Sequence, residues 1–69
     1  MVNVNKLKGR MREEQTTMAE MAKNIGIATS TLYRKLDEVD GSKLTVKEVE
    51  NISRVLNLTS DEINLIFFN

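Results

Sequence analysis

The sequence of 69 residues contains no cysteine and no histidine. Without cysteine, the chain has no disulfide bonds and no thiolate metal ligands. Without histidine, it lacks the side chain that most often acts as a general base near neutral pH. The remaining enzymatic alternative is a hydrolase that uses carboxylates, and it needs two acidic groups converging in a cleft. We therefore expect a protein that is not an enzyme and that holds no metal or cofactor.

Proline is also absent, and the chain has no low-complexity tract or internal repeat. The ends of helices must therefore be marked by three glycines and by capping residues. No apolar run approaches the ~20 residues of a membrane-spanning helix, and the N-terminus lacks the apolar segment of a signal peptide. We expect a cytoplasmic protein.

The chain is long enough for one hydrophobic core only. A chain of this length buries about 60% of its unfolded surface, so residues 1–69 are expected to form a single domain. Apolar residues make up 41% of the sequence. Because no crosslink is possible, hydrophobic packing alone must hold this core, and short helices with local contacts are the simplest solution.

The formal net charge is zero, but the charges are unevenly distributed along the chain. Residues 1–36 carry seven basic and three acidic side chains, a balance of +4, whereas residues 37–69 carry three and seven, a balance of −4. Such a chain can present a positive face to an anion, although ordinary solvated helix surfaces also explain the split. Four basic residues of the predicted first helix are either phosphate contacts or solvated charges: Lys6, Lys8, Arg10 and Arg12.

Apolar spacing and capping signals predict five helices. The first spans about 4–14, the second runs from a cap at Thr16 or Thr17 to Ile25, the third spans about 29–39, the fourth runs from a cap at Thr45 through Leu56, and the fifth follows a cap at Thr59 or Ser60 and continues through Phe67. Apolar side chains recur at intervals of three or four residues along these segments. The sequence therefore predicts an all-α fold.

Three local signals place helix boundaries. Gly26 is suited to the left-handed conformation that ends the second helix. Gly41 lies in a turn sequence and is free to take a positive φ. Thr45 and Glu48 form a capping box, in which each side chain accepts a hydrogen bond from the other residue's backbone N–H. The fourth helix is therefore expected to begin directly after Thr45.

Residues 17–36 have the pattern of a helix-turn-helix, in which two short helices are joined by a tight glycine turn. Ala22 must be small because the two helices are expected to cross there at a steep angle. Gly26 permits the turn, and neighbouring apolar side chains fix the crossing angle: Met21, Ile25, Ile27 and Leu32. With that angle fixed, the second helix of the motif protrudes enough to enter a DNA major groove about 12 Å wide.

The spacing of Ala22, Gly26 and Leu32, together with Ile25 and Ile27, resembles the helix-turn-helix of the phage Cro and repressor family. Members of this family are small transcriptional regulators of the XRE type. The resemblance extends over nearly the whole chain, with one helix before the motif and two after it. It implies a five-helix lambda-repressor-like domain that represses transcription by binding operator DNA. One departure is Ala28, where the family commonly has a serine or threonine that caps the recognition helix. Thr29 is the alternative cap, which would start that helix one residue late.

The resemblance implies which side chains contact DNA. The positions that reach base edges in the family correspond to Thr29, Ser30 and Arg34, and Tyr33 lies at the edge of this set. Arg34 is the best candidate for reading sequence, because a guanidinium can bond guanine O6 and N7 in a bidentate fork. The contacts expected with the DNA backbone are those of Thr17, Tyr33, Lys35, Ser42 and Lys43. The alternative for the third helix is an ordinary solvent-exposed face.

The C-terminal helix is the candidate surface for a homodimer. The family generally binds palindromic sites as a two-fold dimer. Leu65 and Phe68 point away from the predicted core face, and two exposed apolar side chains together suggest a partner. The alternative is that the last residues fold back onto their own domain.

A second function is compatible with the same fold. Zero net charge and an acidic second half also suit a protein-binding module, such as an antitoxin or an anti-repressor adaptor. DNA binding and protein binding therefore both remain open from sequence alone.

Overall fold

A computed structural model describes residues 1–68, which contain five α-helices, one short 3₁₀ turn and no β-strand. The elements are α1 (Val4–Glu13), α2 (Met18–Ile25), α3 (Thr29–Leu36), the 3₁₀ turn (Val39–Gly41), α4 (Val46–Leu56) and α5 (Ser60–Phe67). The predicted all-α class and the number of helices are confirmed over these residues. Within this described part, no helix has the length and apolar character needed to cross a membrane.

Capping side chains begin four of the helices. The Asn3 side chain accepts from the Lys6 backbone N–H at the start of α1. The starts of α2, α4 and α5 are complete capping boxes, formed by the pairs Thr17 and Glu20, Thr45 and Glu48, and Thr59 and Glu62. The capping box predicted for the fourth helix is confirmed, and the open choices of cap at the second and fifth helices are resolved as Thr17 and Thr59.

Left-handed residues end three of the helices. Gly26 ends α2 with φ of 80°, as predicted, and the next residue, Ile27, donates its N–H to the Ala22 carbonyl at 3.0 Å. Gln15 and Asn57 take φ of 56° after α1 and α4, although neither is a glycine. Asparagine tolerates this conformation better than most residues. For Gln15 the sequence contains no comparable signal.

The third helix is shorter than predicted. It ends at Leu36, not near Val39, because Glu38 adopts φ of 54° and breaks the helical path. Two features explain the early end: Val39 is 42% exposed, so a further turn would bury little, and Asp37 and Glu38 are unfavourable at the negative end of a helix dipole. The expected turn with positive φ at Gly41 is present, and Asp40 shares that conformation with φ of 55°.

One apolar cluster unites all five helices. Its buried members are Leu7, Met11, Met21, Ala22, Ile25, Leu32, Leu36, Ile52, Leu56, Ile66 and Phe67. Helix α2 packs against both α3 and α4, and α1 packs against α5. Met21 and Ala22 are each 1% exposed, so α2 has almost no free space on its inner face. Helix α3 is therefore held from one side by α2.

Arg10 on α1 contacts both α4 and α5. Its guanidinium donates to the Leu56 carbonyl at 3.0 Å and to Glu13 at 2.7 Å. Its Nε lies 2.9 Å from a Glu62 carboxylate oxygen, an ionic contact without hydrogen-bond geometry. Nearby, the Asn3 backbone N–H donates to the Ile66 carbonyl at 2.7 Å. Arg10 therefore holds α1 against α4 and α5 and is not a freely solvated charge.

Candidate nucleic-acid interface

The connection between α2 and α3 is only three residues long, from Gly26 to Ala28. Gly26 supplies the left-handed turn, and Ile27 is half-buried against the core. Ala28 is the N-cap of α3 and makes no side-chain hydrogen bond. The alternative that Thr29 caps the helix is wrong, because Thr29 is already the first helical residue. The Leu32 N–H still bonds the Ala28 carbonyl at 3.0 Å, so the helix begins without a capping side chain.

Helix α3 has one buried face and one exposed polar face. Leu32 is fully buried and Leu36 is 4% exposed. Ser30 and Arg34, one helical turn apart, lie on the opposite side and are exposed, and Tyr33 beside them is 45% exposed. Thr29 is half-buried. The three residues predicted to read bases therefore share one helix, and two of them are freely accessible.

The Arg34 guanidinium forms an ion pair in the free protein. Its Nη2 lies 3.1 Å from Oδ2 of Asp40 in the 3₁₀ turn. The Arg34 side chain is 57% exposed and that of Asp40 is 76% exposed. Because both side chains are exposed, water screens the attraction between them, and Arg34 can exchange Asp40 for another partner.

Lys35 is engaged by the protein itself. Its Nζ lies 2.9 and 2.7 Å from the two carboxylate oxygens of Glu48, and both side chains are largely buried. Burial opposes ionisation of Glu48, but hydrogen bonds from Lys35 and from the Thr45 backbone N–H outweigh it and lower the pKa of this carboxyl. The lysine predicted to contact the DNA backbone thus ties α3 to the start of α4.

Thr17 lies at the start of α2, where a phosphate contact is predicted. Its hydroxyl oxygen accepts from the Glu20 N–H at 3.1 Å, and its own N–H donates to the Glu20 carboxylate at 2.9 Å. The backbone hydrogen bond from Thr17 lowers the pKa of Glu20, so this carboxylate is charged. A negative group therefore already occupies part of the electropositive helix start, and the Thr17 hydroxyl hydrogen remains as a donor.

Ser42 and Lys43 follow the 3₁₀ turn and lead into α4. Ser42 is half-buried and donates its N–H to the Val39 carbonyl at 2.9 Å, while Lys43 is exposed. A cavity of about 210 Å³ has Lys35, Lys43 and Phe68 among its lining residues. The structure therefore places Lys43 near the C-terminal end of α5, next to the predicted dimer surface.

The predicted dimer residues are both exposed. Leu65 is 47% exposed and Phe68 is 67% exposed, so these side chains do not fold back into their own core. Phe68 also lines a groove of about 420 Å³, whose walls are Val46, Val49, Glu50, Ser53 and Ile63. Val46 is itself 75% exposed, and Leu65 lies outside this groove. We name Val46, Leu65 and Phe68 the apolar patch.

Sequence reasoning did not anticipate three residues near this surface. Asp40 was part of a turn, and no helical spacing predicts that it would contact Arg34 six positions earlier. The capping box already accounted for Glu48, so nothing signalled its second contact with Lys35. Val46 lies three residues before Val49 at the start of α4, so apolar spacing alone does not distinguish this exposed residue from a core residue.

No family model matches this chain, and neither a curated protein nor a solved structure matches it significantly. The resemblance to the phage Cro and repressor family therefore stays a prediction from the residues themselves.

Proposed function

We propose that this chain is a sequence-specific, double-stranded DNA-binding repressor of the Cro type, in which α2 and α3 form a helix-turn-helix. The observation that carries the proposal is the exposed polar face of α3, with Ser30 and Arg34 one turn apart and opposite the buried Leu32. An α-helix with such a face fits a major groove, where base edges present donors and acceptors. The protein would block transcription in a bacterial cytoplasm by occupying an operator, without catalysis.

The packing of α2 against α3 supports a fixed presentation of this face. Ala22 is 1% exposed where α2 meets its neighbours, and Gly26 turns the chain within three residues. The Lys35 to Glu48 contact restrains α3 from the side of α4. A rigid support matters because base contacts depend on placing the side chains accurately.

In the proposed complex, Arg34 reads a guanine, while Thr29 and Ser30 make weaker base contacts. Tyr33, Lys43, Ser42 and the Thr17 hydroxyl contact sugar and phosphate. Lys35 is assigned to holding α3 in place, because Glu48 already binds its ammonium group. The exposed cations of α1 that remain free of ion pairs within residues 1–68 are available for further phosphate contacts: Lys6, Lys8 and Arg12.

We further propose that the operator is bound by a homodimer formed through the apolar patch. The described chain has a single α3 and a longest principal axis of 28 Å between Cα atoms, whereas successive half-sites lie about 34–36 Å apart. One molecule therefore offers a reading helix to one half-site only. Phenylalanine is among the aromatic residues enriched at protein–protein interfaces, and Phe68 is 67% exposed.

A protein-binding adaptor, such as an antitoxin or anti-repressor, is the second candidate. The groove between Val46 and Phe68 favours it, because an open apolar groove can accept a partner protein as well as a second copy of this chain. In that function the polar face of α3 would have no nucleic-acid partner.

Selection of bound sites from random duplexes, followed by titration of the selected duplex at several salt concentrations, tests the proposal. A repressor enriches one sequence, and a dimer enriches a palindrome. The logarithm of the binding constant should then fall with the logarithm of salt concentration, with a slope near −0.9 per neutralised phosphate. If no sequence is enriched and no duplex is shifted, the adaptor function is favoured instead.

A further inference from the structure

We propose that Asp40 is an intramolecular competitor of DNA for Arg34, so that it limits how much Arg34 contributes to operator binding. This inference rests on the proposed function. Arg34 Nη2 donates to Asp40 Oδ2 at 3.1 Å in the free protein. A guanine contact needs two parallel N–H groups of the same guanidinium. The Asp40 carboxylate occupies one of the Nη2 N–H groups, so it blocks one of the two ways in which the guanidinium can present such a pair to a base.

The backbone holds the Asp40 carboxylate in place. Asp40 takes φ of 55° and Glu38 takes φ of 54°, so two non-glycine residues adopt the left-handed conformation within three positions. The Ser42 N–H closes the turn on the Val39 carbonyl at 2.9 Å, and the turn packs against α3. This arrangement places Asp40 beside Arg34 before any ligand arrives.

The strength of the pair suits competition. The two side chains are more than half exposed, and such pairs contribute only modestly to stability in water. A bidentate contact with guanine is stronger, so DNA displaces the carboxylate but loses the free energy of the broken pair. The cost arises only on duplexes where Arg34 contacts a base.

Asp37 provides a matched control within the same acidic segment. Asp37 and Asp40 are both exposed and follow α3, but within residues 1–68 only Asp40 forms an ion pair with Arg34. Asn at either position removes one exposed negative charge from the segment that follows α3. Only removal of the Asp40 carboxylate frees Arg34. Asn is the appropriate replacement, because asparagine tolerates the left-handed backbone as well as aspartate does.

The first test measures duplex affinity of the full chain on the selected operator. Asp40→Asn should bind two- to fivefold more tightly than Asp37→Asn, which corresponds to the free energy of an exposed ion pair. The difference should vanish in an Arg34→Ala background and on a duplex whose guanine at the Arg34 contact is replaced. Equal affinities of Asp40→Asn and Asp37→Asn, or weaker binding by Asp40→Asn, would overturn the competition.

The second test needs no DNA. NMR of the arginine side chains should show slower rotation of the Arg34 guanidinium in the wild type and in Asp37→Asn than in Asp40→Asn. Identical rotation in all three proteins would mean that the pair does not form in solution, which overturns the inference and leaves the proposed function standing. Failure of the wild type to bind any duplex would overturn both.

Discussion

Lys35 on α3 and Glu48 on α4 are joined by two short contacts, of 2.9 and 2.7 Å, between the ammonium group and the two carboxylate oxygens. Glu48 also accepts from the Thr45 N–H at 2.8 Å, so one side chain caps α4 and holds α3. Glu62 has the same double role at α5, where it completes a capping box and contacts Arg10. Two capping glutamates thus each connect their own helix to another helix.

Replacing Glu48 with glutamine should separate these two roles. Glutamine still serves at the third position of a capping box but cannot pair with an ammonium ion. Because Lys35 then loses its partner in a largely buried position, we expect a loss of about 1–2 kcal/mol of unfolding free energy at pH 7. Chemical denaturation measures this loss. Glu50→Gln on the exposed side of α4 is the control and should change stability little.

The same variant should change how stability depends on pH. The pKa of Glu48 is lower in the folded protein than its ordinary value of about 4.3, so its stabilisation is complete above that value and is lost as the pH falls through the lower folded-state pKa. We expect the melting temperature of Glu48→Gln to fall less steeply than that of the wild type below about pH 4.5. Parallel curves for the two proteins would contradict this coupling.

Ala22 and Ala19 form a matched pair on α2. Ala22 is 1% exposed, whereas Ala19 lies on the exposed side. Ala22→Leu should overpack the core and destabilise the fold by about 1–3 kcal/mol, while Ala19→Leu should be nearly neutral. Thermal unfolding followed by circular dichroism measures both. A fully stable Ala22→Leu protein would mean that α2 does not pack closely at this residue.

Gly9 and Gly26 should respond to alanine with opposite signs. At Gly9, in the middle of α1, an added Cβ would meet Arg12 Nη2 at 3.8 Å, which is ordinary van der Waals contact, so Gly9→Ala should stabilise by about 1 kcal/mol. At Gly26 no atom of residues 1–68, apart from its two chain neighbours, lies within 4 Å of the added Cβ, but φ is +80°. Gly26→Ala should therefore cost about 1–2 kcal/mol through backbone conformation alone. Unfolding in urea measures the stability change of each variant. Changes of the same sign would be inconsistent with the described backbone.

Arg34→Ala should lower affinity for the selected operator by roughly tenfold or more and relax preference at one base pair. Stability should not change, because the Arg34 side chain is exposed. Arg54→Ala is the control, since Arg54 is an exposed arginine on α4 outside the proposed surface. If Arg34→Ala binds with the affinity and the sequence preference of the wild type, α3 is not the helix that reads the DNA sequence.

Phe68 and Phe67 are neighbours with opposite expected effects. Phe68→Ser should leave the monomer folded while weakening self-association and binding to a palindromic duplex, because Phe68 is 67% exposed. Phe67→Ala should destabilise the fold by about 3 kcal/mol or more, because Phe67 is only 7% exposed. Analytical ultracentrifugation and thermal unfolding distinguish the two. Unchanged association of Phe68→Ser would exclude the apolar patch as the dimer interface.

Local sequence signals predicted most helix starts and the left-handed end of α2. Thr17, Thr45 and Thr59 act within three residues of themselves, so their roles can be deduced without tertiary information. The end of the third helix was predicted too late. That end depends on whether Val39 finds a buried site, and only the packed structure decides this.

The candidate surface was predictable in composition but not in its ionic contacts. Ser30 and Arg34 were expected on the exposed face because the leucines of the same helix must face the core. The acidic partners of Arg10, Arg34 and Lys35 were not anticipated. The partners of Arg10 and Lys35 lie on other helices at least 13 positions away, and the partner of Arg34 lies beyond the end of α3. The sequence charges alone could not separate a free cation from one held by a carboxylate.

The sequence by itself determined that this protein is helical, where most of its helices begin and which side chains enter the core, because caps, glycines and apolar spacing act over a few residues. Tertiary structure alone decided which charges are available to a partner. Ion pairs form between side chains that folding brings together, and their strength depends on how far packing removes both groups from water.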